Sequence, residues 1–468
     1  MRRFWLIFMS MFFSVLSWGQ INVKETGDGT AFPLVASHKV VIYYDAGDYN
    51  VVGKTACLLA EDIKRVTNKK IAVSSKKVSS EYAVVVGTVG HNAFIDQLVA
   101  EGQLDVSAIS GGWEQFVIKT IEVPVKGVKK VLVIAGCDRR GTAYGVFTLS
   151  EAMGVSPLYW WADVPVKKKS QLYVESVNYI SQAPSVQYRG IFINDEGWGI
   201  TPWAGKTFDK ELGDIGPKTY AKVCELILRM KGNVLAPAMH PSSGAFNKYP
   251  ENKLVADSYG IIMSSSHCEP LLFNNVTEWD KKTMGEWNYM TNKEGINKIL
   301  DQRVSENAPY ENIYTIAMRG IHDSGLVGVP KDKEVSLVEE VIADQRSILK
   351  KHIDASLDSI PQIFVPYKEV LDIYERGLRL PEDIMLVWPD DNFGYIKRLN
   401  NEEEKKRKGG SGVYYHISYL GEPHDYLWLN TTPPALMFEE MRKAYDTGAK
   451  RYWLLNVGDI KPGELGMK

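Results

Sequence analysis

Two carboxylates, Asp323 and Glu369, close apolar runs in MRGIHD (318–323) and FVPYKE (364–369). A carboxyl held among aromatic neighbours has its pKa raised and can protonate a leaving oxygen, while an ionised one can activate water. Tyr367 precedes Glu369 by two residues, so an extended strand would put both on one face. By the same parity Arg319 shares a face with Asp323 and can pair with an anionic substrate. The plainer readings are a helix-capping carboxylate at Glu369 and an internal Arg319–Asp323 ion pair that organises a loop. Gly320 permits an unusual turn or a close approach there.

Asp195 and Glu196 end RGIFINDE (189–196) on opposite faces, so only one of them points inward, and Asp195 rivals Asp323 as the base. In WPDDNFGY (388–395), Asp390 and Asn392 share parity and offer an acceptor and an amide to sugar hydroxyls. Pro389 and Gly394 mark that loop as shaped. His240, His267, His322 and His416 also stand at run ends. Barrel-type zinc hydrolases need paired ligands such as HxH on one strand, which this chain lacks, so no metal is expected. Each histidine is either a satisfied buried residue or a hydrogen-bond partner for substrate. Trp198, Trp203, Tyr419 and Tyr426 fall in loops, mostly as packing, with a sugar ring free to stack on one. Proton transfer and positioning suffice for hydrolysis, so no cofactor is expected.

The elements that must position these groups are eight apolar runs: 188–196, 232–240, 260–269, 311–323, 362–369, 384–392, 412–419 and 451–459. Such runs fit strands buried on both faces, and helical patterns between most of them fit a parallel sheet. The expected class is α/β: a (β/α)8 TIM-like barrel with its polar residues at the C-terminal strand ends, preceded by a smaller α+β domain. Pro217 suits the first turn of a helix, 334–353 is a long amphipathic helix, and 368–377 is a helix stopping at Gly377. The run EEEKKRK (402–408) reads as a solvated helix face and GGSG (409–412) as a flexible connection.

The N-terminal part, 20–183, has strand-like runs at 40–44, 82–86, 114–123 and 130–136 and helical periodicity over 51–66 and 140–153. Residues 164–184 read as a connector, and the barrel is expected over 184–468. Residues 1–19 read as a signal peptide, with Arg2 and Arg3 before an apolar stretch and small residues before Gln20. Export to a periplasmic or extracellular space follows, with no membrane span. The chain stops nine residues after Asp459, so the barrel is expected to be cut short after strand eight. A net charge of −2 gives no footprint of a nucleic-acid partner. Cys57, Cys137, Cys224 and Cys268 read mostly as structural thiols, with a Cys57–Cys137 bridge left open.

With these runs in view, the chain closely resembles glycoside hydrolase family 115, the xylan α-1,2-glucuronidases. The likeness is carried by RGIFINDE (189–196), PENKLVADSYGI (250–261), SSHCEP (265–270) and YENIYTIAMRGIHDSG (310–325). It continues in FVPYKEVLDIYERGL (364–378), WPDDNFGYIKRL (388–399) and GGSGVYYHISYLGEPHDYLWLNTTPPAL (409–436). Residues 21–183 resemble the α+β domain that this and related glycosidase families place before the barrel. The resemblance implies inverting removal of glucuronic acid or its 4-O-methyl ether from xylan side chains, with glucuronoxylan or an aldouronic acid as substrate. It implies longer relatives with further C-terminal domains, and room for a homodimer in the full-length protein. Its active-site positions carry over to Asp195, His267, Arg319, Asp323, Tyr367, Glu369, Asp390, Asn392, His416 and Tyr419. Within that set Glu369 is the acid and Asp323 the base, with Asp195 the rival for that role, and the other seven bind substrate.

Two other readings compete. A retaining β-hexosaminidase would want an adjacent Asp-Glu pair after strand four, where this chain has RGIHD. A non-catalytic polysaccharide-binding fragment would not need so many carboxylates in one pocket.

Overall fold

The computed structural model describes residues 21–76, 78, 80–123, 127–195, 197–419 and 432–461. Residues 1–19, read above as a signal peptide, Glu196 and Tyr426 lie outside the described residues. Nine strands come first: β1 (Val23–Lys24), β2 (Phe32–Val35), β3 (Val40–Tyr43), β4 (Ala72–Ser74), β5 (Tyr82–Thr88), β6 (Phe116–Glu122), β7 (Lys130–Gly136), β8 (Leu172–Val174) and β9 (Asn178–Ile180). β1, β8 and β2 form a small antiparallel sheet, and the other six follow the order β4-β3-β5-β7-β6-β9. Helices Asn50–Thr67 and Arg139–Met153 pack together against the larger sheet. The second starts at Asp138, whose carboxylate accepts from the amides of Arg140 and Gly141, and stops at Gly154 with φ 102. The connector 164–184 contributes β8 and β9, three residues each and too short for periodicity to reveal.

The barrel strands are β10 (Tyr188–Phe192), β11 (Val234–Ala236), β12 (Ile262–Met263), β13 (Tyr314–Thr315), β14 (Gln362–Phe364), β15 (Met385–Pro389), β16 (Ser411–His416) and β17 (Tyr452–Asn456). All eight apolar runs therefore supply a strand, in the parallel order β12-β11-β10-β17-β16-β15-β14-β13. The ring closes through one parallel bridge between Met263 and Asn312. There the Met263 amide donates to Glu311 at 3.0 Å and the Ile313 amide to Met263 at 2.8 Å. Side chains fill the interior, among them Tyr188, Phe192, Ile363, Val387, Tyr414 and Tyr452.

Within the barrel strands, close approach demands glycine at Gly190 and Gly412. A Cβ on Gly190 would lie 1.8 Å from the Val234 carbonyl oxygen, and one on Gly412 1.8 Å from that of Tyr452. GGSG is thus not simply a flexible connection, because Ser411 and Gly412 open β16. The charge run is not uniformly solvated either. Glu404 is buried and accepts from Tyr374, Arg398 and the Asn401 amide. The helices Pro217–Arg229, Glu334–His352 and Glu369–Glu375 stand where the sequence places them. All four cysteines are free, so Cys57 and Cys137 are not bridged.

The first two sheets and the barrel share one apolar cluster, in which Tyr144 and Phe147 meet Tyr220, Val223 and Leu235. Ion pairs of the buried Arg140 and Arg229 cross the same boundary. Arg140 Nε donates to Glu114 at 2.6 Å, and its Nη1 donates to Glu311 at 2.5 Å and to the Gly260 carbonyl at 3.0 Å. Arg229 forks onto Asp62 at 2.8 and 3.1 Å and donates to Glu225 at 2.8 Å.

Candidate active site

Arg319 is the centre of the cluster at the strand ends, and it is 1% exposed. Its Nε and Nη2 donate to the two oxygens of Glu369 at 2.8 and 2.7 Å, a bidentate fork. Nη1 donates to Asp323 Oδ1, and Nη2 also reaches the Asp323 carbonyl at 3.2 Å. The guanidinium lies over the Tyr367 ring, 5.7 Å from its centroid. Strand parity does not bring Arg319 to Asp323, because β13 ends at Thr315 and the loop turns through Ala317 (φ 127) and His322 (φ 59).

Asp323 has three cationic or imidazole neighbours. Besides Arg319, His267 Nε2 lies 2.9 Å from Oδ1, and Lys368 Nζ donates to Oδ2. Burial alone would raise the Asp323 carboxyl, but bonds from His267 and Lys368 and the Arg319 charge outweigh it and hold it well below the usual carboxylate range. Burial lowers the His267 imidazole despite Asp323 beside it. The His267 ring packs 4.3 Å from Tyr367, and its Nδ1 is buried with no hydrogen-bond partner among the described residues.

Tyr367 and Glu369 do not share a strand face. β14 ends at Phe364, Lys368 takes φ 52, and Glu369 opens the helix Glu369–Glu375. The left-handed turn at Lys368, costing about 1 kcal/mol or more in a residue with Cβ, sends Lys368 to Asp323 and Glu369 to Arg319. Glu369 therefore stands in the first turn of that helix and not at its cap, which is Lys368 and makes no side-chain cap bond, and its carboxylate holds the guanidinium instead.

Asp390 and Asn392 also separate, since Asn392 has φ 71. Asp390 Oδ1 lies 2.5 Å from His416 Nδ1 and its Oδ2 accepts from the Gly394 amide at 2.9 Å. Asn392 Oδ1 accepts from the Tyr367 hydroxyl at 2.9 Å. His416 lies nearly parallel to Tyr367 at 6.5 Å and edge-on to Tyr419 at 5.6 Å. His267, Arg319, Asp323, Tyr367, Glu369, Asp390, Asn392, His416 and Tyr419 thus form one connected set of contacts.

Asp195 is placed differently. It is wholly buried and accepts from Thr201, from Ser242 at 3.1 Å and from the Gly197 amide at 3.1 Å. Next to it Asn194 Oδ1 meets His240 Nε2 at 2.6 Å, and His240 Nδ1 meets His322 Nε2 at 2.7 Å. These imidazoles bond each other, and among the described residues no group of three His, Cys, Asp or Glu is arranged to hold a metal. Trp203 packs on Trp160 and Phe208.

Sequence reasoning passes over Lys368 and Tyr414 in this region, and it puts Glu269 at a strand end without giving it a role. Lys368 lies off-face by parity, and spacing carries no signal of its left-handed turn. Tyr414 was findable, two residues before His416 on β16, and it sits between His267 and His416 at 5.6 and 4.7 Å. Glu269 ends the third run, is buried, and accepts from the Ser266 amide at 3.1 Å. Burial pushes its carboxyl up to about 7.

A family model for glycosyl hydrolase family 115 matches residues 181–468. The chain belongs to glycosyl hydrolase family 115. A solved family 115 structure, described as a 4-O-methyl-α-glucuronidase with specificity for decorated arabinogalactans, is 41% identical with a TM-score of 0.85. The match covers 92% of this chain and 56% of that one, so this chain spans little more than half of its relative. An N-acetyl-β-hexosaminidase from Streptomyces plicatus is 11% identical with a TM-score of 0.52, covering 94% of this chain and 84% of that one. That likeness shows the fold alone. Among the curated proteins none matches.

Proposed function

We propose that this chain carries the catalytic cup of an exported, exo-acting, inverting hydrolase that removes α-1,2-linked glucuronic acid or 4-O-methylglucuronic acid from xylan side chains. The observation that carries the reading is the Arg319 guanidinium gripping Asp323 and Glu369 at once among aromatic rings. An inverting reaction uses one carboxylic acid at the leaving oxygen and one carboxylate on water at the opposite face. Asp323, held ionised, suits the base. Glu369, 30% exposed in its side chain, suits the acid. A uronate entering the cup competes for the Arg319 fork and frees Glu369 to carry a proton to the leaving oxygen. With its Nε2–H on Asp323, the neutral His267 ring offers Nδ1 as an acceptor to a hydroxyl of the same sugar, and Asp390, Asn392, His416 and Tyr419 hold its other hydroxyls and ring. Asp195 suits the base role less well, since its oxygens already organise the 195–201 turn and meet Ser242.

The solved relative's specificity favours a second scaffold, a decorated arabinogalactan, with the same uronic acid removed. Incubating the chain with aldouronic acids and with glucuronidated arabinogalactan, and following released sugar by NMR, tests both. The β anomer should form first from either accepted scaffold, and an initial α anomer refutes inversion. Binding without release supports the non-catalytic reading. Glu369→Gln should lower turnover on natural side chains roughly 10²-fold or more and matter less for a good leaving group.

A further inference from the structure

The Arg319 fork depends on a backbone that leaves its strand early, and one side chain from a neighbouring helix holds that departure. After β13 the Ile316 amide donates to Ile363 at 2.8 Å. Ala317 then takes φ 127, a conformation open to glycine and costly for a residue with Cβ. Ala317 is buried, so its amide and carbonyl need protein partners. Gln345 supplies both. Its Oε1 accepts from the Ala317 amide at 2.9 Å, and its Nε2 donates to the Ala317 carbonyl at 2.9 Å. Gln345 is itself 1% exposed, on the face of helix Glu334–His352 that also buries Val338, Val341, Ile342 and Leu349. An amide that deep is unfavourable unless both its ends are bonded, and a hydrophobe would pack at least as well.

We propose that Gln345 is a positioning residue for the reaction: its amide clamps Ala317 so that Arg319, two residues on, meets Glu369 and Asp323. The assignment rests on the role given to Arg319 above. The clamp needs a donor and an acceptor at one reach. Asparagine is a methylene short. An ionised glutamate accepts from the amide but sets a charge against the carbonyl, whereas a protonated glutamate makes both bonds.

That difference makes Gln345→Glu the test, read beside Gln345→Met, with folding checked by near-UV circular dichroism below each variant's melting temperature. Turnover by Gln345→Glu should stay within about threefold of the parent near pH 5 and fall roughly tenfold or more below it near pH 8, with KM changing less than kcat. Gln345→Met should be depressed at every pH. A Gln345→Glu profile parallel to that of the parent overturns the proposal, even if Gln345→Met does not fold. Crystals of Gln345→Glu grown near pH 8 give a readout free of activity. Arg319 displaced from Glu369 supports the clamp, and an intact fork overturns it. That readout stands even where the parent chain releases no uronic acid, so failure here is distinct from failure of the proposed function.

Discussion

Burial, not a charged partner, governs Glu269. Its carboxyl is pushed from 4.5 up to about 7 by desolvation, with the Ser266 amide pulling the other way. A group whose pKa is higher folded than unfolded contributes stability that is complete below the unfolded value and is lost as pH rises through the folded one. Above pH 7 the chain therefore carries a buried charge at a cost of about 3 kcal/mol. Glu269→Gln, which keeps an acceptor for Ser266, should match the parent near pH 4.5 and be the more stable protein near pH 8.5. Calorimetric scans at the two pH values check this, and a constant difference between them counts against it. Asp323 shows the opposite outcome for the same functional group. Both carboxyls end apolar runs, and only the three-dimensional neighbours (His267, Lys368 and Arg319 for one, apolar burial for the other) decide which is held charged.

At the scale of elements, the sequence located every barrel strand and failed at the step from strand to side-chain direction. Period-two reasoning needs extended backbone, yet β13 is two residues long and β14 three. Beyond them Ala317, His322, Lys368 and Asn392 all take positive φ, and only His322 and Asn392 are of types enriched there, so Ala317 and Lys368 give no sign of it. The pairings Arg319–Asp323 and Arg319–Glu369 were reachable as chemistry, but the loops that make them were not. Glycines carried more information than their flexibility suggests. Gly190 sits where any Cβ would strike the Val234 carbonyl, which is backbone and cannot yield cheaply. Gly190→Ala should cost about 3 kcal/mol or more by forcing β10 and β11 apart, seen as a lowered urea midpoint. A midpoint unchanged within error would mean the strands shift without penalty.

Across the whole molecule, the first two sheets are not an appendage. Arg140, 4% exposed in its side chain, joins Glu114 to Glu311 and the Gly260 carbonyl, and Arg229 joins Asp62 to Glu225. Arg140→Met leaves the buried Glu114 with Arg189 at 2.7 Å and Glu311 with Arg139, so it weakens the set without stripping either carboxylate of a counterpart. It should destabilise by about 2–3 kcal/mol, measured by equilibrium unfolding. A loss under about 1 kcal/mol would mean that Arg189 and Arg139 suffice for the two carboxylates.

The single Met263–Asn312 bridge also divides the cup mechanically. β10 and β16 each align five residues with β17, whereas β12 meets the segment just before β13 at one. Asp390 and His416 ride on the stiff half of the hoop. His267 and Arg319 flank its thin weld, where side-chain ties stand in for main-chain rungs. Thermal breathing of the rim will begin on that flank, and it will loosen the grip on the two acids before it disturbs the wall that faces them.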